Sequence, residues 1–536
     1  MPYQDISRLF SRAERAMLAI FLSIALITST FVINDALFSH QRVQSLASRG
    51  DTLTIGHIGT TETLNSLYCT NSMTIRTACS LVFRGLYSID PFTHELKPEL
   101  ASSLEVSSDL KTYTVKLRKA RFHDDVAISS NDILFTYNTL LKDPSYDGPY
   151  KGAFNGVKIV AKDTETVEFI LDEANTFFPY SLIIGILPQH VLTDVQSVSD
   201  LLSHSVNHNP IGTGPYQVQS INKSANSSEI KLKAYDNYYG EKPYLENITI
   251  TGFSSLENLE QDKQNFDVVY ADNLDTINMH TDYIAHQFSL PQYIGLFFNT
   301  TSATFSNKSI RLGLKVGTDR NKVISELTDS TIIDSPFPDI LTQKITYNLE
   351  KAKTLLAGAK VTPDTPKEIK LVFRKDAALE KAAQEIARQW KELGINCILI
   401  SQEFGELQNN FLKTRNYDAL LIGERMGANI DLYPYFHSSQ GKYPGLNFSV
   451  YKNVVVDNLL NKVRLTIDSQ EQRKLLNQAY DKILEDMPFL PLYTNQSKFF
   501  INKRVHNTFI PSFPVSPEQL YALIKEWYIA EKQIWI

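Results

Sequence analysis

LVFRGLYSIDPFTHELKPELASSLEVSSDLKTYTVKLRKARFHDDVAISSNDILFTYNTL, residues Leu81–Leu140, decides the fold of this chain. Within it Tyr113, Val115 and Leu117 alternate with Thr114, Lys116 and Arg118, so three apolar side chains share one face of a half-buried strand. After the turn-rich HDDVAISSND the period changes. Ile133, Leu134, Tyr137, Leu140 and Leu141 recur at helical spacing, with Ser129, Asn131 or Asp132 placed to cap the first turn. A helix leaves a sheet here, the mark of a mixed α/β chain.

Farther along, the strand KEIKLVFRK is followed by KAAQEIARQWKELGI, which sets Ala383, Ile386, Ala387, Trp390 and Leu393 on one stripe and stops at Gly394. The strand INCILIS comes next, so the order is βαβ and the two strands are expected to pair in parallel. Another helix is expected from Asp468, with Leu475, Leu476, Ala479, Tyr480 and Ile483 buried. The tail repeats the device, with Ser516, Pro517 and Gln519 ahead of LYALIKEWYIA and Trp527 docking on a core. TLTIGHI, alternating at Leu53 and Ile55, reads as the first strand of the folded body.

With 536 residues the chain is too long for one compact core, and two or three lobes are expected. A 21% charged and 11% aromatic composition is that of a globular protein, and the net charge of -6 argues against a nucleic-acid surface. From Ala16 to Ile33 there is no charge. Eighteen helical residues reach about 27 Å, enough for a hydrocarbon core. Arg8, Arg12 and Arg15 precede the stretch and hold that side in the cytoplasm. We therefore expect cytoplasmic residues 1–15, an uncleaved anchor over 16–34, and a polar linker without regular structure over 35–50. The rest of the chain lies outside the membrane; no cysteine stands where a lipid anchor would need one. Of the three cysteines, Cys69 and Cys79 are spaced to close a short loop if the compartment is oxidising, and Cys397 sits in a buried strand.

No catalytic constellation is present: there is no G-x-S-x-G elbow, phosphate loop or H-E-x-x-H, and the eleven histidines are scattered. His204 and His208 lie in a polar turn without a third ligand, so no metal site is expected, and no cofactor. His123, Asp124 and Asp125 read as a strand-end turn.

The opening stretch resembles the extracytoplasmic solute-binding proteins of family 5, the dipeptide- and oligopeptide-binding proteins of ABC importers. The resemblance rests on Gly85-Leu86, then Pro98-Glu99-Leu100-Ala101-Ser102-Ser103, then Leu117-Arg118, then Phe122-His123-Asp124, in the family's order. NPIGTGPYQV from Asn209, DNYYGEKPYLENITI from Asp236, YIGLFFNTT from Tyr293 and EDMPFLPLY from Glu485 continue it.

The resemblance implies a bilobal periplasmic-binding-protein-like fold of the class with an extra lobe. The first lobe would combine 51–80, 209–291 and 488–536; the second would be 81–208 and the third 292–487. It implies a monomeric, non-enzymatic component that captures peptides or peptide-like solutes by lobe closure and hands them to ABC permease subunits. Another solute (a nickel chelate, haem or an oligosaccharide) and an anchored extracellular hydrolase are the alternatives. Candidate ligand-binding residues are Thr60, Thr61, Asn65, Asn299, Glu424, Arg425 and Asp431; Gly212, Gly214 and Pro215 are the expected hinge. In LLIGERMGANIDLYPYFHSS the chain departs from the family's "G-W-x-x-D-Y-x-[DE]-P": Glu424 stands at the Trp, and Gly427 or Ala428 at the acid that pairs with a peptide ammonium. Glu424 or Asp431 would then supply that charge from a neighbouring position.

Overall fold

The computed structural model describes residues 11–38, 43–69, 72–148, 150, 153–271, 279–327, 329–336, 344–425, 427, 430–512 and 514–535. It begins with a 27-residue helix, Arg12–Phe38. The Arg12–Val32 part is long and apolar enough to cross a membrane and none of it is covered by the rest of the chain; 21 residues rise about 31 Å. Within it Ser23 Oγ donates to the Ala19 carbonyl and Thr28 Oγ1 to that of Ile24, each at 2.8 Å. An apolar surrounding demands this.

The linker is not the structureless tether expected. Val43–Ala47 forms a strand antiparallel to Glu531–Trp535, with Val43 opposite Trp535 and Ala47 opposite Glu531. The Ser48 N–H then donates to the Ala530 carbonyl at 3.0 Å, carrying the pairing toward the folded body.

A twelve-stranded sheet runs through the molecule. Ten strands lie in the order Ile395–Gln402, Lys367–Arg374, Ala419–Arg425, Gln292–Phe298, Phe489–Asn502, Val268–Ala271, Gly50–Ile58, Leu245–Phe253, Ser227–Ala234, Tyr216–Lys223. Phe489–Asn502 is the spine. Its first half pairs with Gln292–Phe298 and Ser330–Ile332, its second with Val268–Ala271 and Tyr283–Ser289. The return to the first sheet half, placed at 488 from sequence, therefore falls in mid-strand, because Phe489–Tyr493 still pair with 294–297.

The stretch that opened the sequence reading forms a separate antiparallel sheet, Ala101–Val106, Thr112–Leu117, Thr166–Leu171, Val157–Ala161. Tyr113, Val115 and Leu117 are all buried on its inner face. One hydrophobic core joins this sheet to the first half of the large sheet through Leu53, Ile55, Val115, Phe169, Ile230 and Ile250.

The second half has its own cores on its two faces, one around Leu371, Ile386 and Trp390 and the other around Phe297, Tyr480 and Phe489. Lys367–Arg374 and Ile395–Gln402 pair in parallel as the βαβ order requires. The helix between them, Ala377–Glu392, buries Leu379, Ala382, Ala383, Ile386 and Trp390, large side chains among them contributing about 1.5–3 kcal/mol each. It ends before Gly394 at φ +88°, a conformation that excludes a side chain. Ser469–Asp486, capped by Asp468, buries Leu476, Ala479, Tyr480 and Ile483. The tail departs from expectation: Pro517–Tyr521 and Ile524–Glu526 are short 3₁₀ turns, not one helix, although Trp527 is fully buried.

Candidate ligand-binding site

Lys367–Arg374 and Ala419–Arg425 run parallel, so both carboxyl ends reach the same edge of the sheet. In open α/β sheets that edge is where crevices form. A cavity of about 430 Å³ opens there, lined by Tyr293, Arg374, Asp376, Glu424, Asn495 and Gln496 among others, with the middle of the spine strand as one wall. Its volume suits a small solute.

Arg374 and Asp376 lie on one side. Asp376 Oδ1 caps the Ala377–Glu392 helix by accepting from the Ala378 and Leu379 N–H groups at 2.9 and 3.1 Å, and its Oδ2 lies 3.3 Å from Arg374 Nη2. Arg374, exposed at the cavity rim, is thus held by a residue fixed in turn by the helix. The sequence signals it only through the order strand, cap, helix in FRKDAAL, and it was not among the expected site residues.

Glu424 lies opposite Tyr293 in the antiparallel pair Gln292–Phe298 and Ala419–Arg425. Glu424 is half-buried. Desolvation pushes its carboxyl up to about 8, against the lowering influence of the Arg415 charge. Tyr293 is 1% exposed and its hydroxyl, shut from solvent, has no hydrogen-bond partner among the described residues.

The model of the bacterial extracellular solute-binding proteins, family 5, matches residues 95–446. The chain belongs to this family. This solute-binding protein is 27% identical over 519 residues to the oligopeptide-binding protein AppA of Bacillus subtilis, covering 90% of this chain and 92% of that one. It is 28% identical over 351 residues to the nickel-binding protein NikA of Staphylococcus aureus, covering 63% and 68%. The solved structure of Bacillus subtilis AppA with a nonapeptide superimposes with a TM-score of 0.69 at 25% identity, over 90% of this chain and 100% of that one. Its mixed α/β fold is the periplasmic-binding-protein-like one, as the opening stretch implied.

Of the other expected site residues of this solute-binding protein, Asp431, Asn299, Thr60, Thr61 and Asn65 do not line this cavity. Asp431, 8% exposed, receives Arg464 on Oδ2 at 2.7 and 3.1 Å, and its Oδ1 accepts from the Tyr433 N–H at 3.1 Å. Arg464 in turn lies 3.7 Å above the Tyr433 ring, which stacks on His437. Asn299 is consumed in a turn: its amide donates to the Arg415 and Tyr417 carbonyls at 3.1 and 2.9 Å, and its Oδ1 accepts from Thr301. Thr61 donates to the Thr63 carbonyl at 2.6 Å, and Asn65 caps Ser66–Tyr68 and donates to Asn207 Oδ1 at 3.0 Å. These are local backbone locks of the kind loops use. Thr60 is half-buried beside them. Arg425 ends its strand opposite Gln292, but its side chain lies outside the described residues.

Gly212 and Gly214 are small for a reason other than the one expected. Neither has a positive φ. A Cβ on Gly212 would stand 2.0 Å from the Val82 carbonyl oxygen and one on Gly214 2.1 Å from that of Leu81, so the turn is pressed onto the end of helix Met73–Val82. His123 pins it further, its N–H donating to the Gly212 carbonyl at 2.9 Å with Nε2 3.0 Å from the Gly214 carbonyl. The dihedral reason expected for Gly212 and Gly214 is corrected accordingly: the turn is small because it is clamped. The nearby Cys69 and Cys79 are joined as a disulfide, Cα atoms 6.0 Å apart.

A second cavity, about 650 Å³, separates the four-stranded sheet from the second half of the large sheet and is bounded by Asp172, Asn175, Tyr433, Asn461 and Arg464. The two masses touch there. The Thr176 N–H donates to the Arg464 carbonyl at 2.9 Å, Gln472 Nε2 to Thr176 Oγ1 at 3.2 Å, and Phe177 joins the core around Phe489. A contact between residues 296 apart carries no periodic signature, and nothing in the sequence announced it.

Proposed function

We propose that the chain is the substrate-binding component of an ABC importer, capturing peptides or peptide-like solutes and passing them to permease subunits unaltered. The observation that carries the reading is the 27% identity to an oligopeptide-binding protein along nearly the whole of both chains. The site supports it, since a carboxyl (Glu424) and a guanidinium (Arg374) line one cavity, complementary to the two ends of a zwitterionic backbone.

Three lobes act in this reading as two bodies. The four-stranded sheet and the first half of the large sheet move together, and the second half swings about the spine strand near Thr494–Gln496 and the Leu290–Pro291 link. Ligand stabilises the closed arrangement by its extra contacts there. The body works as a monomer, held outside the membrane by the uncleaved helix Arg12–Phe38.

The test is to purify the full chain in detergent, denature it and identify by mass spectrometry what it releases. Intact peptides bear the reading out; a non-peptide solute, or cleavage of an added peptide mixture, overturns it. Membrane fractionation with and without alkaline wash tests the anchor, which is refuted if the mature chain starts beyond Phe38.

A further inference from the structure

The Cys69–Cys79 disulfide is not sealed inside the core beside it. Both cysteines line a third cavity, about 280 Å³, walled by helix Met73–Val82, strand Tyr87–Ile89 and the tail turns Pro517–Tyr521 and Ile524–Glu526. The two are not equally placed in it. Cys79 is 5% exposed, whereas Cys69 is only half-buried. Access decides which sulfur of a disulfide a thiolate attacks, so Cys69 is the electrophile here and Cys79 the leaving group.

The charge around the bond is uneven. Arg76, Arg84, Lys97 and Lys525 share the cavity with Asp90, Glu99 and Glu518. Two of the acids are already engaged. Glu99 accepts from Ser88 Oγ and Tyr239 Oη at 2.9 and 2.7 Å, and Asp90 Oδ1 accepts from the Phe92 and Thr93 N–H groups, both at 2.9 Å. Among the cations, Arg84 Nε lies 3.6 Å from Glu99 and Lys525 is held by Glu241 at 2.5 Å, while Arg76 meets Glu518 only at 4.0 Å. The exposed Lys97 side chain makes no hydrogen bond or ion pair with a described residue and only feels the charges of Asp90 and Glu241. Its ammonium is open to an anion. Arg76 adds positive charge one turn before Cys79 on the same face of the helix.

We propose that Cys69 is a site of reversible S-thiolation by an anionic low-molecular-weight thiol, one that carries a carboxylate besides its sulfur. The carboxylate sits against Lys97 and the thiolate attacks Cys69 Sγ. A new S–S bond forms to Cys69 as the Cys69–Cys79 bond breaks, and the Cys79 sulfur leaves with the electron pair. The incoming sulfur is oxidised and that of Cys79 reduced, so no further oxidant enters. The proton shed by the incoming thiol is balanced by one that the Cys79 thiolate takes from solvent. The S–H so formed has an acceptor at hand, since Cys79 Sγ lies 4.0 Å from the Asn65 carbonyl. The exchange also reaches the clamped turn: helix Met73–Val82, which the disulfide crosslinks to Cys69, supplies the Leu81 and Val82 carbonyls pressed on Gly214 and Gly212. This site lies apart from the cavity at Glu424 and Arg374 and does not depend on what that cavity binds.

The test treats the full-length protein in detergent with glutathione, an anionic thiol, or cysteamine, a cationic one, traps new thiols with iodoacetamide and maps the adducts by peptide mass spectrometry. Each rate is divided by that of the same thiol on a short linear peptide disulfide, which removes intrinsic reactivity. The expected product carries one glutathione on Cys69 and the alkyl group on Cys79, forming at a rate that urea below the unfolding midpoint does not change. The normalised rate is expected to be about 10-fold higher for glutathione than for cysteamine, and Lys97→Gln to bring the ratio to within about threefold at an unchanged melting temperature. Exchange that begins only as urea unfolds the chain, glutathione on Cys79 instead of Cys69, or equal normalised rates for the two thiols overturns the proposal.

Discussion

The four-stranded sheet and the second half of the large sheet are attached to the rest of the protein in opposite ways. The four-stranded sheet shares a continuous core with the first half and is clamped at Gly212–Gly214, where carbonyl oxygens of a helix end press on backbone that has no room for a Cβ. The second half has two cores of its own, into one of which the other mass sends Phe177, and is otherwise joined through the backbone hydrogen bonds of the spine strand. Shared side-chain packing resists relative motion because interiors are dense and every shift opens voids. A strand passing between two separately packed masses resists far less, since its own pairing can persist while it bends. Two junctions in one chain thus differ in stiffness because of what fills the space around them.

The strongest way to break the clamped junction is a side chain on its glycines. Gly214→Ala is expected to cost about 3 kcal/mol or more, read as a lowered urea midpoint, while Gly441→Ala, whose added Cβ meets ordinary contacts at 3.5 Å, stays near wild type. Equal midpoints would show that the joint yields. Next in size is the Cys69–Cys79 crosslink, which closes a loop with a sequence separation of 10 at the edge of the same core. Replacing both with serine is expected to lower stability by about 3 kcal/mol, and reducing agent should do the same to the wild type and nothing to the variant.

A smaller effect comes from acid. His57 is fully buried, with Nε2 3.0 Å from Tyr521 Oη and 3.3 Å from Thr77 Oγ1, and desolvation holds its imidazole down to about 3. The unfolded chain takes up the proton near 6.5 while the folded one refuses it, so this contribution is fully present above 6.5 and is lost as pH falls toward 3. Between pH 7 and 5 it amounts to about 2 kcal/mol. The slope of unfolding free energy against pH should flatten by that amount in His57→Gln if that variant folds, whereas an unchanged slope would assign acid sensitivity elsewhere. The smallest effect belongs to the looser junction: Gln472→Ala removes the bond to Thr176 and is expected to shift the balance of the two masses by about 1 kcal/mol. Small-angle scattering of the variant should show a larger radius; identical curves would mean that the Gln472–Thr176 bond does not hold the masses together.

The fold was legible wherever burial imposes a period. Tyr113, Val115 and Leu117 and the stripe ending at Trp390 announce themselves because one face must avoid water. The site was legible only in part. Glu424 stood out because a charge replaced an expected aromatic, but Thr61, Asn65 and Asn299 look the same in sequence whether they bind a ligand or cap a turn, and here they cap turns. Asp431 shows the same limit. Its partner Arg464 lies 33 residues away, and no local pattern connects them. The linker strand was hidden likewise, since Val43–Ala47 is a strand only because Glu531–Trp535 comes back to it.

That returning strand gives the molecule an unexpected geography. Only the four positions between Phe38 and Val43 separate the apolar helix from the ribbon. Five peptide steps reach no more than about 18 Å, so any helix that stays in a bilayer keeps the ribbon close to the headgroups. A fluorophore attached behind Trp535 would report from the lipid side of the body, and clipping 531–535 would double the leash by releasing Val43–Ala47 from its neighbour.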